Sequence, residues 1–313
     1  MPGIPALTKR VGWLPAIMCA LSILSVTAEA QRSTTEAYYA SGLSRYEKKD
    51  FDGAIADLDR ALEALLDKSR LTSDNVTIGY ERSVAIIPRA AVAYTVRGLA
   101  RYAKGEVDEA IADYDQAIAI APRYAHAFNN RGAAWHAKGE LDKAIDDYTR
   151  AIGFDPNHAI AFFNRGYTRY CQQRWDDAIE DLNKSIGLNP GHASAYLNRG
   201  SVWFEKGIWD RALDDYGRAI KLDPRSYAAY HNRGNVRLEL RDLDAALADF
   251  NRAIELNPAT AQPYLSRGLT QLLRGNKADA DKDFARCRAL DQSLASMIDE
   301  RIKRLGDALS LAR

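Results

Sequence analysis

Histidine and cysteine are the residues of this sequence best suited to catalysis or metal binding. The five histidines and three cysteines form no His-Glu-x-x-His or Cys-x-x-Cys spacing, and no phosphate-binding glycine loop or Gly-x-Ser-x-Gly motif occurs. Cys171 is the candidate nucleophile and His136 the candidate base, but no third residue that would orient this base can be identified. The sequence therefore predicts no enzyme and no metal or cofactor site.

Asparagine offers a different chemistry. Asn130, Asn164, Asn198 and Asn232 follow one another at intervals of 34 residues. A carboxamide carries a donor and an acceptor together, which matches the paired N–H and C=O groups of an extended peptide backbone. The four amides therefore favour peptide binding, or else each amide only caps or pairs with a neighbouring helix.

The asparagines belong to a longer pattern with the same 34-residue step. Prolines recur from Pro122 to Pro258, and a proline ends a helix because it cannot donate to the preceding turn. Such self-similarity indicates a repeat array. The Arg-Gly pairs of the six full copies are Arg97-Gly98, Arg131-Gly132, Arg165-Gly166, Arg199-Gly200, Arg233-Gly234 and Arg267-Gly268.

A 34-residue unit of this kind resembles the tetratricopeptide repeat (TPR). When the glycine is counted as the eighth position, alanine fills the twentieth position of all six copies, as the family pattern requires. The resemblance covers nearly all of the chain after residue 36 and implies an all-α, right-handed superhelical solenoid of helix-turn-helix repeats. The fourth position reads Tyr94, Phe128, Phe162, Tyr196, Tyr230 and Tyr264. The twenty-fourth reads Tyr114, Tyr148, Leu182, Tyr216, Phe250 and Phe284.

The array divides the chain into segments. A degenerate first copy spans 31–66, and six tandem copies, numbered two to seven, span 91–292. The segment 67–90 is predicted to extend the second helix of copy one and then to form a packed loop, with Pro88 as a stop. Residues 293–313 show helical amphipathic spacing and are expected to form a capping helix, which the last repeat of an array needs.

Residues 1–30 have the pattern of a signal peptide. Lys9 and Arg10 precede an apolar run, and Ala28-Glu29-Ala30 resembles a cleavage site. Cleavage after Ala30 and export, to a bacterial periplasm, is the favoured interpretation. An uncleaved membrane anchor and lipidation at Cys19 are the alternatives.

Charge and cysteine content limit the function classes further. Without the leader residues Lys9, Arg10 and Glu29, the basic and acidic side chains balance, so charge does not favour nucleic acid or an anionic membrane as a partner. Cys171 and Cys287 are far apart in an array where each repeat contacts only its neighbours, so no disulfide is expected. Arginine at the seventh and aspartate at the twenty-third position recur in every full copy. They are predicted to form part-exposed scaffold ion pairs worth about 0–1 kcal/mol each.

In TPR proteins the first helices line a concave groove, which the second, fifth, sixth, ninth, twelfth and thirteenth positions would face. Aromatic residues there are either side-chain pockets for a peptide or packing against the next helix. His158 and His192 follow repeat prolines and are expected at the surface. The predicted peptide-binding residues are Asn130, Asn164, Asn198, Asn232, Asn129, Phe163, Tyr167, Tyr170, Phe204, His231 and Asn235.

The function implied is that of a protein-interaction scaffold or adaptor in the cell envelope that binds an extended peptide or partner segment in the groove. The alternative is a structural or self-assembling module without a peptide ligand. No cofactor is expected, and the sequence leaves the partner and the oligomeric state open.

Overall fold

The chain is all-helical wherever the structure describes it. The structure is a computed structural model, and it describes residues 34–70, 76–296 and 298–303. No strand occurs in these ranges, and none of their helices is long and apolar enough to cross a membrane. The predicted signal peptide over 1–30 lies outside the described residues.

The helices follow the predicted 34-residue step, two to each copy. They pack as two compact units. Unit one ends at Phe154, and unit two begins at Asp155. Unit one contains α1 (34–47), α2 (Phe51–Arg70), α3 (Val76–Lys104), α4 (Val107–Ile120), α5 (Ala125–Ala137) and α6 (Leu141–Phe154). Unit two contains α7 (Ala159–Cys171), α8 (Trp175–Leu188), α9 (Ala193–Glu205), α10 (Trp209–Leu222), α11 (Tyr227–Glu239), α12 (Leu243–Leu256), α13 (Ala261–Leu273), α14 (Lys277–Leu290), a 3-10 turn (Gln292–Leu294) and α15 (295–303, except 297).

The glycine at the eighth position lets the two helices of a copy approach closely. A Cβ added at Gly200 would lie 2.8 Å from the ring of Tyr216, and one added at Gly234 would lie 2.6 Å from the ring of Phe250. Both rings are at most 1 % exposed, so they fill the space that the missing side chain leaves. The predicted packing of a small residue against a large one is confirmed at these positions.

The recurring Arg-Asp pairs also join the helices of each copy. Arg199 donates through Nε and Nη2 to the two carboxylate oxygens of Asp215, at 2.8 and 2.7 Å. This hydrogen bonding raises the pKa of Arg199, and burial offsets only part of the rise. Nη1 of the same guanidinium donates to Oδ1 of Asn183 in the preceding copy at 2.6 Å. A single arginine therefore ties three helices together.

These pairs are more buried than the sequence suggests. The six aspartates, from Asp113 to Asp283, are only 1–5 % exposed. In copy five, where Arg199 is the cation that pairs with Asp215, loss of this arginine would leave a buried carboxylate without a counter-ion, which costs about 3–5 kcal/mol and not the 0–1 kcal/mol of a surface pair. The arginines keep 13–24 % of their side chains exposed, so the pairs are part-exposed as predicted, but the burial of the carboxylates makes the predicted 0–1 kcal/mol too low. The aromatic residue of the fourth position lies against the guanidinium, as Tyr196 does over Arg199.

The segment between copies one and two differs from its prediction. α2 extends to Arg70, but residues 76–90 are helical and continue into α3, where the sequence predicts a packed loop with a stop at Pro88. A helix that is already formed adds one hydrogen bond for each further residue. A proline inside it removes one such bond, which is a cost but not a necessary end.

The C-terminal segment packs on the last copy. Ile298 of α15 is fully buried in a cluster with Ala280 and Phe284 of α14. Leu294 and Ile302 pack against the same cluster. This helix therefore covers apolar surface of copy seven, as a cap does; residues 304–313 of the predicted capping helix lie outside the described residues.

The glycine contact gives a stability prediction. Replacing Gly200 with alanine should destabilise the protein by about 1–3 kcal/mol, because the new methyl group overlaps the buried ring of Tyr216. Gly187→Ala is the matched control, since a Cβ there meets nothing within 4 Å, and it should stabilise α8 by about 0.5–1 kcal/mol. Urea unfolding followed by circular dichroism measures both changes. A Gly200→Ala protein as stable as the control would show that the ring moves aside without cost.

Candidate functional site

The first helices of copies four, five and six lie side by side in unit two. α9 contacts both α7 and α11. Residues at the second, sixth, ninth and thirteenth positions share one side of a helix, because they are separated by three or four residues. We call this surface the inner face. Its members are Ile160, Asn164, Tyr167 and Cys171 on α7, Ser194, Asn198, Ser201 and Glu205 on α9, and Ala228, Asn232, Asn235 and Glu239 on α11.

The asparagine row on this face has three members, and each is partly exposed. Nδ2 of Asn232 donates to Oγ of Ser201 at 3.4 Å, so this amide already joins α11 to α9. The backbone carbonyl of Asn164 accepts from the hydroxyl of Thr168 at 2.8 Å. No hydrogen bond joins the amide of Asn198 to any described residue. Asn198 therefore has both its donor and its acceptor available to a ligand.

The aromatic residues predicted as pockets divide into two groups. The rings of Phe163, Tyr170 and Phe204 pack against the core of unit two. For example, Phe204 lies 5.3 Å from Trp209, measured between ring centroids. Tyr167 is 39 % exposed on the inner face. Of the two roles that the sequence leaves open, packing fits the first three residues, and only Tyr167 presents its ring to solvent as a pocket residue should.

A chain of polar contacts runs beneath the inner face. Nε2 of His231 lies 3.1 Å from Oγ of Ser266 on α13 and 3.4 Å from Nδ2 of Asn235. On the other side of α11, Ser201 accepts from the hydroxyl of Tyr216 at 3.3 Å and from Asn232. His231 therefore joins α11 to α13, Asn235 bonds His231 within α11, and both have partners before any ligand arrives.

Burial also decides the charge of His231. It lowers the pKa of His231 to about 4, with a small opposing effect from a hydrogen bond to Asn232. The imidazole is therefore neutral at physiological pH. In the tautomer whose Nε2 carries no proton, the single lone pair of this nitrogen accepts one hydrogen bond, from the Ser266 hydroxyl at 3.1 Å or from the Asn235 amide at 3.4 Å.

Two of the predicted residues lie in unit one. Asn129 is only 6 % exposed and so does not face solvent as the sequence predicts. Its Nδ2 donates to Oδ1 of the partly exposed Asn130 at 3.2 Å. The fifth position of this copy points between the helices, because the neighbouring residues Ala127 and Phe128 are buried with it.

Two histidines and Cys171, all in unit two, also differ in their surroundings. His158, expected at the surface, is 7 % exposed, and its Nδ1 accepts from the backbone N–H of Ala161 at the start of α7. His192 is partly exposed, and its ring centroid lies 4.5 Å from that of Phe163. Cys171 is exposed and hydrogen-bonds Tyr167. The described residues contain no group of three or more His, Cys, Asp or Glu side chains arranged to hold a metal ion.

Two contributors to the site are not apparent from the sequence. Ser266 differs from the asparagine found at the sixth position of the preceding copies, yet its hydroxyl bonds His231. Ile160 is 54 % exposed beside Tyr167. Alignment of the copies could have identified both, because each occupies a face position where its copy differs from the others.

The pKa of His231 gives a prediction of pH dependence. The unfolded chain takes up a proton near pH 6.5, whereas the folded chain resists protonation of His231 until about pH 4. This contribution to stability is therefore complete above pH 6.5 and is lost as the pH falls toward 4. The loss should amount to about 2–3 kcal/mol.

The measurement is urea unfolding from neutral pH to pH 4 for the wild type and for His231→Gln, which keeps polar groups but does not titrate. The wild type should lose more stability than the variant over this range. Parallel curves for the two proteins would show that His231 does not titrate out of the folded state in this way.

Known proteins with the same repeat were found by sequence and by structure. Models of the tetratricopeptide repeat match residues 98–139, 125–158, 163–229 and 227–259. Together these segments cover slightly more than half of the 313 residues. No curated protein matches the chain.

Solved structures share the fold. The pilF protein of Pseudomonas aeruginosa aligns with a TM-score of 0.63 and 18% identity over 70% of this chain and 98% of its own. A tetratricopeptide repeat protein from Parabacteroides merdae gives 0.58 and 20% over 85% and 97%, and YrrB gives 0.50 and 20% over 61% and 97%. At these identities the likeness shows the fold alone, and it confirms the all-α TPR solenoid. From the sequence matches and this fold, the chain belongs to the tetratricopeptide repeat family.

Proposed function

We propose that this protein is an interaction scaffold that holds an extended segment of a partner protein against the inner face of unit two. The observation that carries the proposal is the amide of Asn198, which lies between Asn164 and Asn232 and has no hydrogen-bond partner among the described residues. The chain is proposed as a binding protein and not as an enzyme. The TPR fold generally serves to bind protein or peptide partners, and YrrB, which shares it, is described as having an unusual peptide-binding site.

The free energies of the individual contacts indicate how such a segment would be held. Two hydrogen bonds from the amide of Asn198 to the peptide backbone, at about 1 kcal/mol net per bond, give roughly 2 kcal/mol. Ordering an extended peptide costs about 2–5 kcal/mol. The amide row therefore fixes the backbone without giving useful affinity, and side-chain contacts must supply the rest. The exposed surfaces of Tyr167 and Ile160 are suited to that purpose.

We further propose that the protein works in the cell envelope after export. The basic, apolar and Ala-x-Ala regions of residues 1–30 support this location. Expression of the full chain in a bacterium that secretes proteins across its inner membrane tests it. The mature protein should be recovered from the periplasm and should begin at Gln31 by N-terminal sequencing. Recovery in the cytoplasm with residue 1 or 2 at the N-terminus would contradict export.

The amide row is tested with peptides. A library of short extended peptides is screened against the full chain, and the tightest binders are measured by fluorescence anisotropy with the wild type, Asn198→Ala and the double variant Asn164→Ala/Asn198→Ala. We expect about thirtyfold weaker binding for the single variant, because two backbone hydrogen bonds of about 1 kcal/mol each are lost, and a larger loss for the double variant.

Asn183→Ala is the control, since this asparagine lies on the second helix α8 and bonds Arg199. It should bind peptide as the wild type does. Thermal unfolding shows whether all variants are folded. Equal peptide affinity for the wild type and the double variant would remove the support for binding at the inner face.

A further inference from the structure

The inner face is asymmetric in charge and in hydrophobicity. We propose that the segment it binds is cationic and has an apolar side chain followed by two basic side chains, each about three residues apart. This inference rests on the proposed function and specifies its ligand. It is derived from the free carboxylates of the face, the lack of cations on it and the position of its exposed apolar residues.

Two carboxylates on the face are unpaired. Glu205 on α9 and Glu239 on α11 occupy the thirteenth position of successive copies, and both are exposed. Neither forms an ion pair with a described residue. Burial and then the nearby charge of Glu205 raise the pKa of the Tyr170 hydroxyl, so this carboxylate lies close to α7. Two like charges with no counter-ion in the protein favour a cation on the ligand.

No basic residue of the face offsets these charges. Neither lysine nor arginine occurs at the second, fifth, sixth, ninth, twelfth or thirteenth position of copies four, five and six. Three basic residues on the same helices or in the adjoining turn are already paired: Arg169 with Asp181, Arg237 with Asp249 and Lys206 with Asp176. His231 is neutral, as shown above. The face therefore has a net negative charge, although the whole chain is close to neutral.

The apolar part of the face lies on the neighbouring helix. Ile160 and Tyr167 of α7 are 54 % and 39 % exposed, and they lie above and below Asn164 on the same side of the helix. The corresponding positions on α9 are Ser194 and Ser201, and on α11 Ala228 and Asn235. An apolar side chain of the ligand would therefore bind at α7, and the cationic side chains would bind at α9 and α11.

The spacing of the helices sets the spacing of the ligand residues. Packed helices are separated by about 8–10 Å. An extended chain advances by about 3.3 Å per residue, so it passes from one first helix to the next in about three residues. A segment crossing α7, α9 and α11 in order would read apolar-x-x-basic-x-x-basic, or the reverse if the chain runs the other way.

The test uses synthetic peptides with the full chain. One peptide carries a leucine and two arginines, each separated by two serines. The second has the reverse order, the third has glutamate in place of arginine, and the fourth has glutamine. Affinity is measured by fluorescence anisotropy at low and at high salt, with the wild type, Glu205→Gln, Glu239→Gln and the double glutamine variant. Glu180→Gln on α8 is the matched control, because it removes the same charge from an exposed site on a second helix.

One of the two arginine peptides should bind at least about tenfold more tightly than the glutamate peptide. Each glutamine substitution should weaken it about three- to fivefold and the double variant about tenfold. High salt should reduce the difference. Glu180→Gln should bind as the wild type does, and none of the substitutions should alter the affinity for the glutamine peptide.

Three outcomes would overturn the inference: equal binding of the arginine and glutamate peptides, unchanged affinity in the double variant, or no binding of either arginine peptide. The proposed function is separable from it. A peptide without basic residues whose binding depends on Asn198 would keep the scaffold proposal and reject the cationic ligand. Arginine-peptide binding that depends on Glu205 and Glu239 but not on Asn198 would keep the charge preference and reject the amide row.

Discussion

The close approach of the two helices in each copy is the contact on which the rest of the array depends. Only a residue without a side chain allows the ring of the twenty-fourth position to lie as near as Tyr216 lies to Gly200. The same ring has a second role in copy five. Its hydroxyl reaches Ser201, which in turn accepts from Asn232 on the inner face. The packing of one copy thereby orients the amide of the next.

The Arg-Asp pairs limit the rotation of each helix relative to its neighbours. Because Arg199 binds Asp215 with two parallel hydrogen bonds and also reaches Asn183, rotation of one helix about its axis would break several charged contacts at once. The seventh and twenty-third positions are thus committed to the scaffold, which explains why they do not vary between the six full copies. Variation is confined to positions that these bonds leave free, and the inner face consists of such positions.

The scaffold could be predicted from the sequence, whereas much of the site could not. The recurrence of glycine and of the twenty-fourth-position residue marks the contact that each copy must make, so helix pairs such as α9 and α10 follow from the 34-residue step. The loop expected over 76–90 is helical, because one proline does not outweigh the hydrogen bonds of a helix that is already formed. The roles of Asn129, Phe163 and Tyr170 depend on the depth of each side chain between two helices. A residue that occurs in only one copy gives no pattern from which that depth could be read.

The polar contacts beneath the inner face also decide at which residues a bound peptide gains the most free energy. A peptide that bonds Asn232 must displace or share its contact with Ser201, so the exchange of hydrogen bonds yields little free energy. A peptide that bonds Asn198 replaces only water. Burial of an apolar side chain against Tyr167 and Ile160 adds a contribution that requires no protein contact to break. The apolar contribution should therefore be centred on α7 and the amide contribution on α9, whereas α11 contributes through its carboxylate. A row of similar amides is not an energetically uniform site, because the scaffold uses the amide of Asn232 and leaves that of Asn198 for the ligand.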